Sequence, residues 1–204
     1  MLSALTESVE SRRLLDQVWD EGGVRACLEH GQWIFAMRSQ KIEYDPSVEP
    51  PFGYVRAFNK PTDWVNTSAL CSDEFFTTTV IKYNDEIGYW FCDLDTIYVR
   101  FVSDDGNYGG NLALWRPSFT EYVKAYFASK IVMKVTGDKN RWLAILGRDL
   151  GGLTDGILAA QLKNAKNKDA MAIPPGFPAR GSWVNSRGGW GRNTDGGNIS
   201  GNLY

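Results

Sequence analysis

The side chains most able to do chemistry in this chain are carboxylates placed close together. Asp93 and Asp95 flank a single leucine, and Asp104 and Asp105 open a glycine-rich stretch, DDGNYGGN. Either pair has the composition of a cation site or of the acid and base of a glycoside hydrolase. The same residues are the usual material of turns, because Asp and Asn side chains bond to nearby backbone N–H groups. Nucleophilic catalysis has less to draw on. His30 is the sole histidine, on a stretch with helical spacing, and no G-x-S-x-G elbow occurs. No Cys/His group has zinc spacing. Gly147-x-x-x-Gly151-Gly152 shares only its glycine content with a phosphate loop, since no Lys-Ser/Thr follows. Phe75, Tyr83, Tyr89, Trp90 and Phe91 are of the type that stacks single-stranded bases, and equally of the type that fills a core or a subunit interface. The residues thus point to a protein that is not an enzyme and holds no cofactor or metal.

Composition narrows the class further. The chain has 204 residues, a formal net charge of -2 and a pI near 5.5, which argues against a dedicated nucleic-acid binder with a basic face. Its 43% apolar content is enough for a sizeable core. No stretch approaches the ~18 apolar residues of a membrane span, so no membrane insertion is expected. The first residues lack a basic n-region and a long apolar run, so no signal peptide is expected either. The three cysteines, Cys27, Cys71 and Cys92, are odd in number and widely spaced, which fits a reducing compartment.

The elements that must position these residues read as follows. Residues 8–38 carry apolar positions at helical spacing, with Leu15, Val18 and Trp19 on the stripe and Leu14 widening it. Gly22-Gly23 interrupts them, and the pattern resumes from Val24 to about Gln40. Strand signals follow at 54–58, 64–70, 75–83, 87–92 and 96–102, with turns at 84–86 and 93–95 and a loop at 104–111. The short links suit an antiparallel meander. Helix returns at Pro117, where Ser118-x-x-Glu121 matches a capping box, and continues to about Val135. Thr136-Gly137-Asp138 stops it, and Asp138 can cap the next helix. Helical spacing then runs over 142–157 among several glycines, and 159–171 is a good helix former. The expected fold is α+β and mainly α: a long-helix bundle over 1–172 with an inserted antiparallel β unit at about 54–102.

Residues 173–204 change character. They are rich in Gly, Pro, Asn and Ser, show no period, and cannot bury a core of their own. Yet they hold Phe177, Trp183, Trp190 and Tyr204, with Arg180, Arg187 and Arg192 against a single Asp195. Aromatics and arginines are the side chains enriched at interface hot spots. An extended C-terminal docking arm that binds a neighbouring subunit or a partner is therefore expected, using these seven residues.

Three stretches in order carry a family resemblance: Gly31–Ile42 with Trp33, Phe35 and Ala36; 51–64 with Pro51, Phe52, Tyr54, Pro61, Asp63 and Trp64; and 81–139 with Pro117, Phe119 and Glu121. Over roughly 8–171 the chain resembles the head-to-tail adaptors of tailed bacteriophages, known in short-tailed phages as tail tubular protein A or tail accessory factor. It departs from that pattern in Gly22-Gly23, inside the first expected helix, and in its glycine-rich second tryptophan helix. The resemblance implies a structural virion protein, made in the host bacterial cytoplasm and placed at the head–tail junction. It implies a twelve-fold homo-oligomeric ring that binds the portal protein, presents a platform to the next tail or nozzle protein, and lets double-stranded DNA pass without gripping it. A slightly acidic chain suits that passage, since a basic lumen would hold phosphates by counterion release. The alternative is a tail-associated cell-wall or polysaccharide hydrolase using Asp93, Asp95, Asp104 or Asp105, because some members of the family are associated with lytic activity.

Overall fold

Residues 10–51, 53–147 and 156–172 are described by a computed structural model. Helix α1 spans Glu10–Asp20 and α2 spans Gly23–Glu29. A 3-10 turn at Ile34–Ala36 leads into strand β1, Met37–Glu43. Strands β2 (Arg56–Asn59), β3 (Trp64–Cys71), β4 (Asn84–Glu86), β5 (Tyr89–Cys92) and β6 (Thr96–Ser103) follow. A second 3-10 turn, Leu112–Leu114, precedes α3 (Pro117–Thr136), α4 (Lys139–Leu146) and α5 (Ile157–Ala170).

Two antiparallel sheets result, ordered β1-β6-β3 and β2-β5-β4. Strand β6 is central to the first and alternates as its sequence requires. Ile97, Val99 and Phe101 join Phe58, Leu70, Trp90 and Cys92 in a core between the two sheets. Val102 belongs instead to a second core with Val65, Cys27, Leu28, Trp33, Phe119, Tyr122 and Phe127. The first sheet is therefore covered by helices on one face and by the second sheet on the other.

This architecture overturns the long-helix bundle with a small β insertion. Among the described residues there are five helices and six strands, and only α3, at 20 residues, is long. The expected helix to Gln40 ends at Glu29, and 37–43 pair with β6 from Met37↔Val102 to Glu43↔Thr96. Polar Ser39, Lys41 and Glu43 alternate with Gln40 and Ile42, a period-2 pattern that β6 rewards with a full ladder of backbone bonds. Gly22 breaks the first helix because its φ of 84° lies in the left-handed region. On α1, Leu14 is buried and Leu15 and Val18 pack partly buried against the helical core as expected, while Trp19 is exposed.

The strands differ in detail too. The meander is replaced by long-range pairings, β1 with β6 and β2 with β5; only β4–β5 is a simple hairpin, turning at Ile87-Gly88. Asn84–Glu86 is thus strand rather than turn. Residues 75–83 form no strand beyond an isolated bridge from Thr79 to Cys71. Asp73 is the reason: its carboxylate accepts from Thr77 N (3.0 Å), Thr77 Oγ1 (2.7 Å) and Thr78 N (2.7 Å), and so competes with the sheet for backbone donors. The capping box at Ser118 is not formed either. Pro117, with its φ preset, occupies the first turn, Arg116 is the N-cap, and Glu121 pairs with Lys124 at 2.8 Å. Asp138 does cap α4, accepting from Asn140 N (2.9 Å) and Arg141 N (3.3 Å).

All three cysteines are free and buried. Burial pushes the Cys27 thiol up to about 12, against a bond with Tyr122, and raises Cys71 and Cys92 as well. Since the thiolate is the reactive form, the native protein is expected to resist a thiol reagent at pH 8 for many minutes. All three should titrate at once in denaturant. Fast labelling of one thiol in the native protein would contradict this packing.

Candidate functional site

Where the helices meet the first sheet, charged side chains form a connected seam. Arg38 on β1 donates to Asp63 Oδ2 at 2.7 Å, and Ser103 Oγ at the end of β6 donates to the same oxygen. Burial by itself would raise the Asp63 carboxyl, but the bonds from Ser103 and Arg38 outweigh it and hold the group below its usual range. Arg38 is raised in turn by Asp63. Arg25, from α2, bonds to the Asp104 carboxylate and to the Trp64 carbonyl. The loop after β6 closes on this seam through Gly109, whose N–H donates to Ser103 O (3.0 Å) and whose carbonyl accepts from Trp115 Nε1 (2.8 Å). A Cβ at Gly109 would strike the Ser103 carbonyl and lie 2.9 Å from Leu28 Cδ1, so the glycine is required by close approach.

A second cluster lies across the sheets. The Lys60 side chain is only 4% exposed, with its ammonium 3.6 Å from the centre of the Trp64 ring and bonded to Asp85. The other Asp85 oxygen accepts from Thr67 Oγ1 (3.0 Å) and Trp90 Nε1 (3.2 Å). This is a satisfied charge pair with cation–π support, a fastening rather than a reactive group.

The carboxylates singled out by spacing are likewise spoken for. Asp93 accepts from Val55 N at 3.2 Å and lies 3.4 Å from Lys82 Nζ; Asp95 accepts from Arg56 Nε at 2.9 Å. Asp105 accepts from Asn107 N at 2.8 Å, in a local turn, while Asp104 belongs to Arg25. His30 is exposed and its Nδ1 meets the Ala26 carbonyl one helical turn back. Gly147 is the left-handed C-cap of α4. Of the aromatic set, Trp90 and Phe91 are buried, leaving Phe75 and Tyr83 exposed. Among the described residues no group of three or more His, Cys, Asp or Glu side chains is placed to hold a metal ion, and no helix is long and apolar enough to cross a membrane.

The arm residues Phe177, Arg180, Trp183, Arg187, Trp190, Arg192 and Tyr204 lie outside the described residues. What the described residues present instead is apolar surface. A groove of about 430 Å³ runs between α1 and α3, lined by Leu15, Trp19, Trp115, Val123, Phe127 and Ile131. A smaller, more polar cavity of about 300 Å³ lies beside it, with Lys130 and Lys134 on its wall. Sequence reasoning missed the groove because each lining residue is an ordinary stripe position on its own helix. Only the exposed Trp19, seated 6.2 Å from the Phe127 ring, marks it. Comparison with protein-family models and with curated proteins finds no match for the chain.

Proposed function

We propose that this chain is a structural virion protein, a ring-forming head-to-tail adaptor that seats on the portal, extends the DNA channel and carries the next tail component. The reading rests on the order of the motifs that resemble that family. The observation that best supports it is where those motifs fall. Trp33, Ala36 and Phe119 meet in one core, and Asp63 anchors the seam beside Trp64. Residues that carry the resemblance thus specify a scaffold, and the four aspartates a hydrolase would need are engaged in turns and ion pairs. Portal and downstream tail protein are its protein partners, and DNA passes through the lumen unread.

The docking role of the C-terminal arm is tested by deletion after Met171, with Trp183→Ala and Trp190→Ala as milder versions. The truncated protein should keep its helix content by circular dichroism and lose attachment to filled heads. Aromatic anchors of this kind are each worth about 2 kcal/mol or more when buried, so each single change should weaken attachment roughly thirtyfold. Attachment of the truncated chain at wild-type affinity would remove the arm from the docking surface. A full-length chain that stays unbound at saturating portal would end the adaptor reading.

A further inference from the structure

The formal charge of -2 conceals a division of charge along the chain. Residues 37–105 hold twelve Asp or Glu against six Lys or Arg, whereas residues 116–171 hold ten Lys or Arg against five Asp or Glu. Several bases of the second stretch already have company. Arg116 flanks Asp169, Lys124 pairs with Glu121, and Arg141 pairs with Asp138 at 3.2 Å. Lys130 and Lys134 line the cavity that α3 shares with α1. Arg148, Asp149 and Asp155 lie outside the described residues.

Helix α5 differs. Its apolar side packs on the core through Leu158, Leu162 and Ala165, and its single acid, Asp169, is buried. Lys163, Lys166 and Lys168 are exposed, with Asn164 and Asn167 beside them. Among the described residues no ion pair engages any of the three lysines. The elements around α5 bring little acid. It packs on α3 and α4, and α4 adds Lys139 to its Arg141–Asp138 pair. The α2–β1 connection, which Asp169 meets at Ile34, adds Glu29 and His30. The acids of α1 belong to a helix that packs on α2 and α3; there Glu10 and Asp16 pair with Arg13 and Arg12, leaving Asp20 and Glu21.

We propose that the outward side of α5 is a contact surface for the phosphates that border a groove of double-stranded DNA. At about 3.6 residues per turn, Lys163 and Lys166 fall on one flank of that side and Lys168 on the other, with Asn164 and Asn167 between. Flanking lysines can then reach phosphates on both edges of a groove, and lysine and asparagine both donate to phosphate oxygens. The helix has no aromatic side chain on which single-stranded bases could stack. Its exposed large apolar residues, Ile157 and Met171, lie at the two ends, so no apolar row is left to enter a bilayer. A duplex also carries a charge per about 1.7 Å of axis, denser than an acidic peptide at one per ~3.3 Å. Phosphate contacts carry no sequence information, so the DNA is still unread. That this duplex is the one in the channel rests on the adaptor reading; the contact itself does not.

Fluorescence anisotropy of a labelled mixed-sequence duplex, titrated with the full chain, tests it. Three phosphate contacts predict an affinity that falls roughly fortyfold between about 50 mM and 200 mM salt. Lys163→Gln, Lys166→Gln and Lys168→Gln together should weaken binding at about 50 mM salt by roughly tenfold or more and flatten the salt dependence. Lys130→Gln with Lys134→Gln, on the side of α3 toward α1, should leave both nearly unchanged. All five positions are exposed, and circular dichroism checks the fold. No binding at about 100 µM chain in low salt, or a triple variant that binds like wild type, would overturn the proposal. Polyglutamate or phosphatidylglycerol vesicles that displace the duplex at equal charge would overturn it too, by showing a surface for any polyanion. Portal enters none of these measurements. A chain that binds duplex through α5 and ignores portal therefore loses the adaptor reading and keeps this surface.

Discussion

Replacing Trp33 with alanine is expected to destabilise the protein by about 3–5 kcal/mol, the usual cost of removing a fully buried tryptophan. Trp33 is 1% exposed and stands where α2, α3 and the first sheet converge. Its ring lies edge-on to Phe119 at 4.8 Å and stacked with Tyr122 at 6.3 Å, and its indole N–H donates to Cys27 O at 3.3 Å. Alanine would leave a cavity that three layers must close at once, and it would strand the Cys27 carbonyl. Against a total stability of about 5–15 kcal/mol, the loss amounts to roughly a fifth or more of what holds the chain folded. Urea titration followed by far-UV circular dichroism reads the effect as a lower midpoint at unchanged slope. Trp33→Phe keeps the aromatic packing but loses the hydrogen bond, and should fall between the two. A midpoint for Trp33→Ala equivalent to a loss below about 1 kcal/mol would mean that this residue does not hold the layers together.

The second large effect is expected at Asp169. This aspartate lies in the last turn of α5, is 5% exposed, and accepts from the backbone N–H of Ile34 at 2.9 Å. Ile34 opens the 3-10 turn that converts the α2 exit into β1, so one side chain near the end of the helical layer fixes the start of the sheet. Arg116 flanks the same carboxylate, with Nε 3.5 Å from Oδ1, and its Nη1 donates to the Lys168 carbonyl at 3.3 Å. Oδ1 is paired by charge at that distance but receives no hydrogen bond among the described residues. Asp169→Ala removes the acceptor from Ile34 and leaves the Arg116 cation without its partner. The first is costly because the carboxylate is buried, whereas solvent softens the second at the 35% exposed Arg116, so together they cost about 2 kcal/mol. Asp169→Asn restores an acceptor without the charge and should recover part of the loss. The decisive readout is amide exchange at Ile34, which should accelerate in Asp169→Ala well beyond the global change. Unaltered protection of that amide would show that the turn is held by something other than Asp169.

Both residues bear on what a sequence can disclose. Segments whose structure depends on neighbours within one or two turns were legible. The Pro117 start and Gly137 stop of α3, the Asp138 cap of α4 and the alternation of β6 are written in residues a few positions apart, and each is present. The strands are antiparallel as expected, but only β4–β5 owes this to a short link; the other pairs join strands far apart in the chain.

Tertiary structure decided the rest, where local preference was divided or silent. Residues 37–43 suit a helix by one period and a strand by another, and the free edge of β6 settled them as strand from about sixty residues away. Residues 75–83 have strong β preference, but Asp73 takes their donors and Arg100 covers Phe76, leaving Phe75 and Ile81 outside. The tie from Asp169 to Ile34 spans 135 positions and has no signature at either end. The groove is less visible still, because Leu15, Trp19, Val123 and Phe127 each read as a helix stripe. It exists only because α1 and α3 meet with those stripes incompletely opposed, and the space left between two helices is a property of their packing, which no window along the chain contains.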